Sequence, residues 1–434
     1  MTNPLTRAGQ GMLPSDCRNL SVIRSMASKS VRSATVGYIV STWPRLSQTF
    51  VLNEIVALSA KDPGGEPVHA EVAKVRAEVT YLSLRCRWKR VLWANLWLAH
   101  DLPGRYARTL LKALRYCRWG VVRRFFQAVY LSHLLRREPL THLHAHFATA
   151  PALVAMFTHE LTGIPYTFTA HARDIYVDSQ PGLLRAEMER AKAVITVSEY
   201  NRRYLLSRVS PASKGKVYRI YNGLDLRQFK FRYPCASDLG PPVILSVGRL
   251  IEKKGLADLI VASAILRQRG RCFTLEIIGA GPLRKALEAQ VKQLHLEDRV
   301  KLLGAQPQEL IRLAYQRATV FALPCVITAE GDRDGIPTVL LEAMASGASV
   351  VSTSVSGIPE LIDGQREGLL VSPNNPFMLA DALDRLLTDP ELRQRLALAA
   401  RAKVEACFTI ERSSQQLLDL FQHAVANEDT LPLQ

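Results

Sequence analysis

Short apolar runs alternate with longer stretches in which apolar residues recur every three or four positions, and this rhythm starts twice along the 434-residue chain. The first series begins at residues 35–40, Thr-Val-Gly-Tyr-Ile-Val, and continues at residues 79–84, 141–146, 166–169, 193–197 and 217–221. Helical spacing fills residues 47–59 and most of the later intervals. The second series places strands at residues 243–247, 273–278, 299–303, 319–323 and 349–353, each of the last four preceded by a helical pattern. Strands alternating with helices predict an α/β fold with parallel, doubly wound sheets. Pro234, Gly240, Pro241 and Pro242 interrupt the rhythm within residues 231–242, so two such units are expected, facing each other across a cleft. Ligands of these sheets bind beyond the carboxyl ends of the strands. The expected boundaries are a tail over 1–33, a first lobe over 34–232, a second lobe over 233–408, and a C-terminal helix and tail over 409–434.

Two stretches break the pattern. Residues 1–33 hold Arg7, Arg18, Arg24, Lys29 and Arg32 against a lone Asp16 and lack an apolar centre. They read as a disordered basic tail, or as an extension upstream of a natural start at Met26, and not as a secretory signal. Residues 58–79 offer no strand where a doubly wound sheet would place its second one.

Composition narrows the class. With 48% hydrophobic and 22% charged residues the chain is globular, and no run approaches the ~18 apolar residues of a membrane span. The net charge of +17 points to an anionic partner. Much of that excess lies in residues 81–140, where 13 basic residues face only Asp101 and Glu138, alongside Trp88, Trp93, Trp97 and Trp119. Basic residues beside large aromatics suit the headgroup boundary of an anionic membrane. They would also suit single-stranded nucleic acid, or helices whose rings pack inward under a solvated basic face. No nucleic-acid-binding signature accompanies them, so an anionic membrane surface is the expected partner and nucleic acid is not. Seven dispersed cysteines without a CxxC exclude a zinc or disulfide framework by spacing and suit a reducing cytosol.

The candidate chemistry gathers in the second lobe. The run from Ile244 to Gly255 ends a strand at Gly248-Arg249 and reaches Lys254-Gly255 before the next helix. A guanidinium and an ammonium at a strand's carboxyl end can neutralise a diphosphate. Asp334 and Glu342 stand eight residues apart, with Gly335 and Pro337 at the start of a helical run. Free N–H groups at such a helix start favour phosphate, and the two carboxylates can take sugar and ribose hydroxyls.

Several further motifs accompany these: Trp43-Pro-Arg-Leu-Ser-Gln-Thr-Phe50, His144-Ala-His-Phe147, Phe168-Thr-Ala-His-Ala-Arg-Asp-Ile-Tyr176, Ile195-Thr-Val-Ser198, Tyr221-Asn-Gly-Leu-Asp225 and Ile278-Gly-Ala-Gly-Pro282. In this order the chain resembles the family 4 retaining glycosyltransferases of the colanic-acid and exopolysaccharide type, from about residue 36 to about residue 408. The resemblance implies the GT-B fold, two Rossmann-like domains around a central cleft. It implies transfer of a hexose, with retention, from a nucleotide sugar (a UDP-sugar) to a lipid-linked saccharide, with no cofactor and no metal. Arg249 and Lys254 would hold the donor diphosphate, Glu342 the ribose, and Asp334 the transferred sugar, with Gly335, Thr338 and nearby amides against the donor. His171 would stand opposite, near the reacting sugar, and the loop with Pro44 and Ser47 would line the acceptor side. The implied location is the cytoplasm, peripheral to the inner face of the plasma membrane.

Asp332-Arg-Asp334 has the form of the metal-binding DxD of the other large glycosyltransferase fold, but its second Asp falls on a family 4 position. His142, His144 and His146 alternate on one strand with no carboxylate or Cys close in sequence, and read as a buried strand end. Two departures stand out: Asp334 replaces the family's usual Glu, and the gap at residues 58–79 has the look of an internal deletion. The gap leaves an alternative, a nucleotide-sugar- or membrane-binding protein whose first lobe no longer catalyses.

Overall fold

The computed structural model describes residues 20–27, 34–40, 51, 54–55, 79–137, 140–178, 180–233 and 241–426. The first sheet contains β1 (Ser21–Ala27), β2 (Ala34–Val40), β3 (Val79–Tyr81), β4 (His142–His146), β5 (Tyr166–Ala170), β6 (Ala193–Thr196) and β7 (Val217–Arg219), in the order β3-β1-β2-β4-β5-β6-β7. From β2 to β7 neighbours run parallel. Helices cover the sheet, so β4, β5 and β6 are buried along their whole length; β5 and β6 read as near-continuous apolar or β-branched runs, and β4 alternates histidine with Leu143 and Ala145.

β1 corrects the expectation of a disordered tail over residues 1–33. It pairs antiparallel with β2, from Ser21↔Val40 to Ala27↔Ala34, and antiparallel with β3 on its other side. Leu20 and Val22 are buried. The pairing joins β1 to its chain neighbour β2 and to the remote β3, and it is a backbone event that a basic composition does not reveal. β1 lies beside β2, the sheet position for which residues 58–79 supply no strand; residues 56–78 lie outside the described residues.

The second sheet contains β8 (Val243–Val247), β9 (Thr274–Ile278), β10 (Val300–Gly304), β11 (Val320–Leu323), β12 (Ser349–Thr353) and β13 (Leu369–Val371), all parallel in the order β10-β9-β8-β11-β12-β13. β13, at three residues, is too short to show periodicity. The order reverses between β8 and β11, and a crevice opens at that switch point.

The basic aromatic stretch forms α1 (Trp88–Asp101), α2 (Pro103–Arg115) and α3 (Trp119–Leu135). Its rings divide. Phe125 and Tyr130 are buried and Tyr106 packs edge-on against Phe125, whereas Trp88, Trp93 and Trp119 are 59%, 64% and 75% exposed. Trp97 carries the Arg136 guanidinium over its face at 3.5 Å. No helix among the described residues is long and apolar enough to cross a membrane. Cys86 is disulfide-bonded, to a partner outside the described residues; a bridge between remote segments leaves no trace in spacing.

The C-terminal helix, α5 in the numbering used below (Ile410–Ala426), returns to the first lobe. Leu417, Leu420 and Phe421 pack with Val36, Tyr38, Ile195 and Ile220. The lobes also meet directly. Arg173 pairs with Asp332 at 3.1 Å, and the Glu360 carboxylate accepts from the Glu199 and Tyr200 amides at 2.8 and 2.9 Å.

Candidate active site

One wall of the cleft begins where β8 ends. Arg249 is exposed there and makes no ion pair among the described residues. A 3-10 turn, Glu252–Lys254, then hands the chain to Gly255, whose φ of +64° places it in the left-handed region. A Cβ at Gly255 would run into the Pro324 carbonyl, so glycine is required for the turn that aims Lys254 into the cleft.

Lys254 Nζ lies 2.5 Å from Asp334 Oδ2, and Lys253 Nζ lies 3.3 Å from Asp334 Oδ1 and 3.0 Å from Asp332 Oδ1. All four groups are largely buried. Burial alone would push the Asp334 carboxyl up, but Lys254 and then Lys253 pull it down to about 2, so it stays ionised. Burial works against the Lys254 ammonium as well; Asp334 overrides it and raises the Lys254 pKa. Asp332 is shared between Lys253 and Arg173, so the Asp332-Arg-Asp334 tripeptide is held by cationic side chains.

Next comes α4 (Thr338–Ser346), preceded by Pro337 as its cap residue. Glu342 is buried one turn in, and the Tyr315 hydroxyl donates to its Oε2 at 2.8 Å. At Gly335 a Cβ would press on Val197 and the His171 carbonyl, 3.1 and 3.2 Å away, so the small residue lets the lobes approach.

The opposite wall is built after β5. The Asp174 carboxylate accepts from the amides of Ala148, His171 and Ala172 at 2.7–3.1 Å, tying the two loops behind the cleft into one unit. Asn201 donates to the His171 carbonyl, and Tyr176 donates to Asn201 at 2.7 Å. The His171 ring packs on Phe147, centroids 4.6 Å apart.

Between the walls lies a cavity of about 510 Å³, well sized for a small-molecule ligand. The structure brings His171, Arg249, Lys254, Asp334, Gly335, Thr338 and Glu342 together around it. Pro44 and Ser47 lie outside the described residues. Sequence reading missed Lys253, Tyr315 and Asp174, which hold Asp334, Glu342 and the His171 loop. The doublet Lys253-Lys254 was a visible signal; Tyr315 gave none.

One reading is corrected. The histidines of β4 do have a carboxylate partner, because the fold brings Glu54 to 3.2 Å from His146 Nε2 and 3.9 Å from His144 Nε2. Glu54 is 92 positions from His146, so local spacing gave no sign of it.

Residues 70–228 match the family described as Glycosyltransferase Family 4, and residues 228–403 match Glycosyl transferases group 1. WcaL of Escherichia coli (strain K12), named for colanic acid biosynthesis, is 31% identical over 413 residues, covering 89% of this chain and 99% of WcaL. The amylovoran biosynthesis glycosyltransferase AmsK of Erwinia amylovora is 40% identical over 230 residues, and that match spans 53% of this chain and 56% of AmsK. Sucrose-phosphate synthase from Thermosynechococcus elongatus superposes with a TM-score of 0.60 at 25% identity, over 70% of this chain and 79% of that one. Anabaena Alr3699/HepE, solved in complex with UDP, gives 0.59 at 21% identity over 68% and 82%. Two doubly wound lobes around a cleft make the GT-B architecture, and with these matches along nearly its whole length the chain belongs to glycosyltransferase family 4.

Proposed function

We propose that this protein moves a hexose from a UDP-sugar, with retained anomeric configuration, onto a lipid-linked saccharide during exopolysaccharide assembly. The observation that carries the reading is the cavity that sets Arg249, Lys254, Asp334 and Glu342 opposite His171. Breaking the bond between the sugar and its diphosphate builds negative charge on the leaving group. Lys254, held by Asp334, and the amides at the start of α4 are in place before the reaction begins, and with Arg249 they stabilise that charge where it develops. Ionised Asp334 accepts sugar hydroxyls, and Glu342, oriented by Tyr315, accepts those of the ribose. The acceptor hydroxyl attacks on the face that the diphosphate leaves. Its proton passes to a departing phosphate oxygen, and the diphosphate takes the bonding electron pair.

The names of WcaL and AmsK support the exopolysaccharide setting, and HepE has been solved with UDP and with UDP-glucose. Exposed Trp88, Trp93 and Trp119 beside Lys89, Arg90 and Arg118 support docking on an anionic, cytoplasm-facing membrane where a lipid-linked acceptor resides. The test is transfer from UDP-hexoses to a lipid-linked saccharide fraction, followed by proton NMR of the new anomeric centre. Retained configuration with acceptor-dependent UDP release is expected. Tight nucleotide binding with no transfer from any UDP-, GDP- or ADP-sugar would refute the reading in favour of a binding protein.

A further inference from the structure

Behind His171 runs a chain of buried polar groups that the donor site does not use. Glu54 Oε1 lies 3.2 Å from His146 Nε2, and His146 Nδ1 lies 3.3 Å from His171 Nε2. The two imidazoles stack with centroids 5.6 Å apart and planes 23° from parallel, and His171 lines the cleft. Burial, and then the neighbouring His146, push the His171 pKa well below its usual value, so the ring is neutral.

Donor and acceptor roles follow from one end. With the Glu54 oxygen as acceptor, His146 donates from Nε2. Its Nδ1 is then the acceptor, and His171 must donate from Nε2, which leaves the His171 lone pair on Nδ1.

The same groups could be read as a metal site, since ligand atoms of Glu54, His144 and His146 all lie within 4.8 Å of one another. His144 argues against it. Its Nδ1 lies 2.8 Å from Thr167 Oγ1 and its Nε2 lies 3.1 Å from Thr169 Oγ1, so both ring nitrogens are already engaged by hydroxyls.

We propose that Glu54, acting through His146, is a positioning residue that holds His171 with its proton on Nε2 and its lone pair on Nδ1, so that His171 meets the transferred sugar as a hydrogen-bond acceptor. The catalytic half of this inference rests on the transfer reading above; the tautomer half does not.

The first arm needs no substrate: nitrogen-15 spectra of histidine-labelled protein, with resonances identified through His171→Gln and His146→Gln. The expected result is a pyridine-like Nδ1 and a pyrrole-like Nε2 at His171, giving way to mixed tautomers in Glu54→Gln. The second arm measures UDP release from UDP-glucose. Glu54→Gln lowers kcat roughly 10- to 100-fold, at or below the lower end of the 10²–10⁴ that a directly acting acid–base group contributes, with KM within about twofold and an unchanged melting temperature. Glu54→Asp recovers part of the loss. A pyridine-like Nε2 at His171 in the wild type, or an unchanged spectrum in Glu54→Gln, overturns the relay. So does stoichiometric zinc in the purified protein that shifts His144 and His146 together. Full UDP release by His171→Gln would instead overturn the catalytic role of His171 and leave the transfer reading standing. No UDP release even by the wild type would be a failure of the transfer reading, and the spectra keep both distinct from the relay.

Discussion

Replacing Lys254 by methionine keeps the aliphatic stem and removes the ammonium that faces the cleft. Two consequences can be separated in size. Asp334 loses its 2.5 Å partner but retains Lys253 at 3.3 Å, so the carboxylate is not stranded. The stability cost should therefore fall well below the roughly 3–5 kcal/mol of an uncompensated buried charge, at about 1–2 kcal/mol. Donor binding loses one charge-assisted bond to the diphosphate, worth roughly 1.5–3 kcal/mol, or about a 10- to 150-fold weaker affinity. UDP at about 100 times its dissociation constant stabilises the wild type by ~2.7 kcal/mol. A variant weakened about 100-fold sits at its dissociation constant at that concentration and gains only ~0.4 kcal/mol. Isothermal titration with UDP, paired with melts at matched ligand concentration, reads both quantities. A folded Lys254→Met variant that binds UDP within about twofold of wild type would show that the ammonium does not touch the diphosphate, and the donor assignment would fail.

Other substitutions probe other parts of the molecule. Gly255→Ala forces a side chain into the left-handed region against the Pro324 carbonyl; it should cost on the order of 1–3 kcal/mol in denaturant melts and weaken UDP binding by displacing Lys254. Asp334 has its folded pKa depressed to about 2 from an ordinary 3.8, so it contributes about 2 kcal/mol at neutral pH. That contribution is full above pH ~4 and lost as pH falls through ~2; in Asp334→Asn this segment of the stability-against-pH curve should flatten. Trp88→Ser with Trp93→Ser should reduce binding to vesicles containing anionic phosphatidylglycerol by tenfold or more, with no effect on UDP affinity. Raised salt should weaken the wild-type vesicle binding. Equal binding of wild type and double variant would point away from α1 as the docking face.

The grouping of Arg249, Lys254, Asp334 and Glu342 around the cleft was legible because its parts are local. Gly248-Arg249 and Lys254-Gly255 sit within eight residues on one strand end and turn, and Asp334 to Glu342 forms one loop and one helical turn, so spacing translates directly into geometry. Lobe number and most strand sites were equally readable, since most of the buried parallel strands are apolar runs with their own punctuation, the histidine-bearing β4 and the three-residue β13 aside. What escaped depends on pairing and packing between separate segments. β1 takes its sheet position by pairing with β2 and β3, which no periodicity within residues 20–27 announces. Glu54 meets His146 only after the first sheet is assembled. The aromatic helices defeated a simple inward-or-outward choice because both faces carry rings: packing selected Phe125 and Tyr130 and left Trp88, Trp93 and Trp119 outside.

The return of α5 to the first lobe means that the chain passes between the lobes twice, once between Ile220, in the first lobe's core, and Leu224, in the second's, and again near Thr409. The second passage is fastened beside the end of the first lobe: the Leu224 amide donates to the Phe408 carbonyl at 2.8 Å, and the Ile410 amide donates to the Leu224 carbonyl at 3.0 Å. Two covalent connections, one of them stitched in place, resist twisting and sliding far better than they resist bending. Opening and closing of the cleft is thereby reduced to a swing about one edge, like a book on its spine.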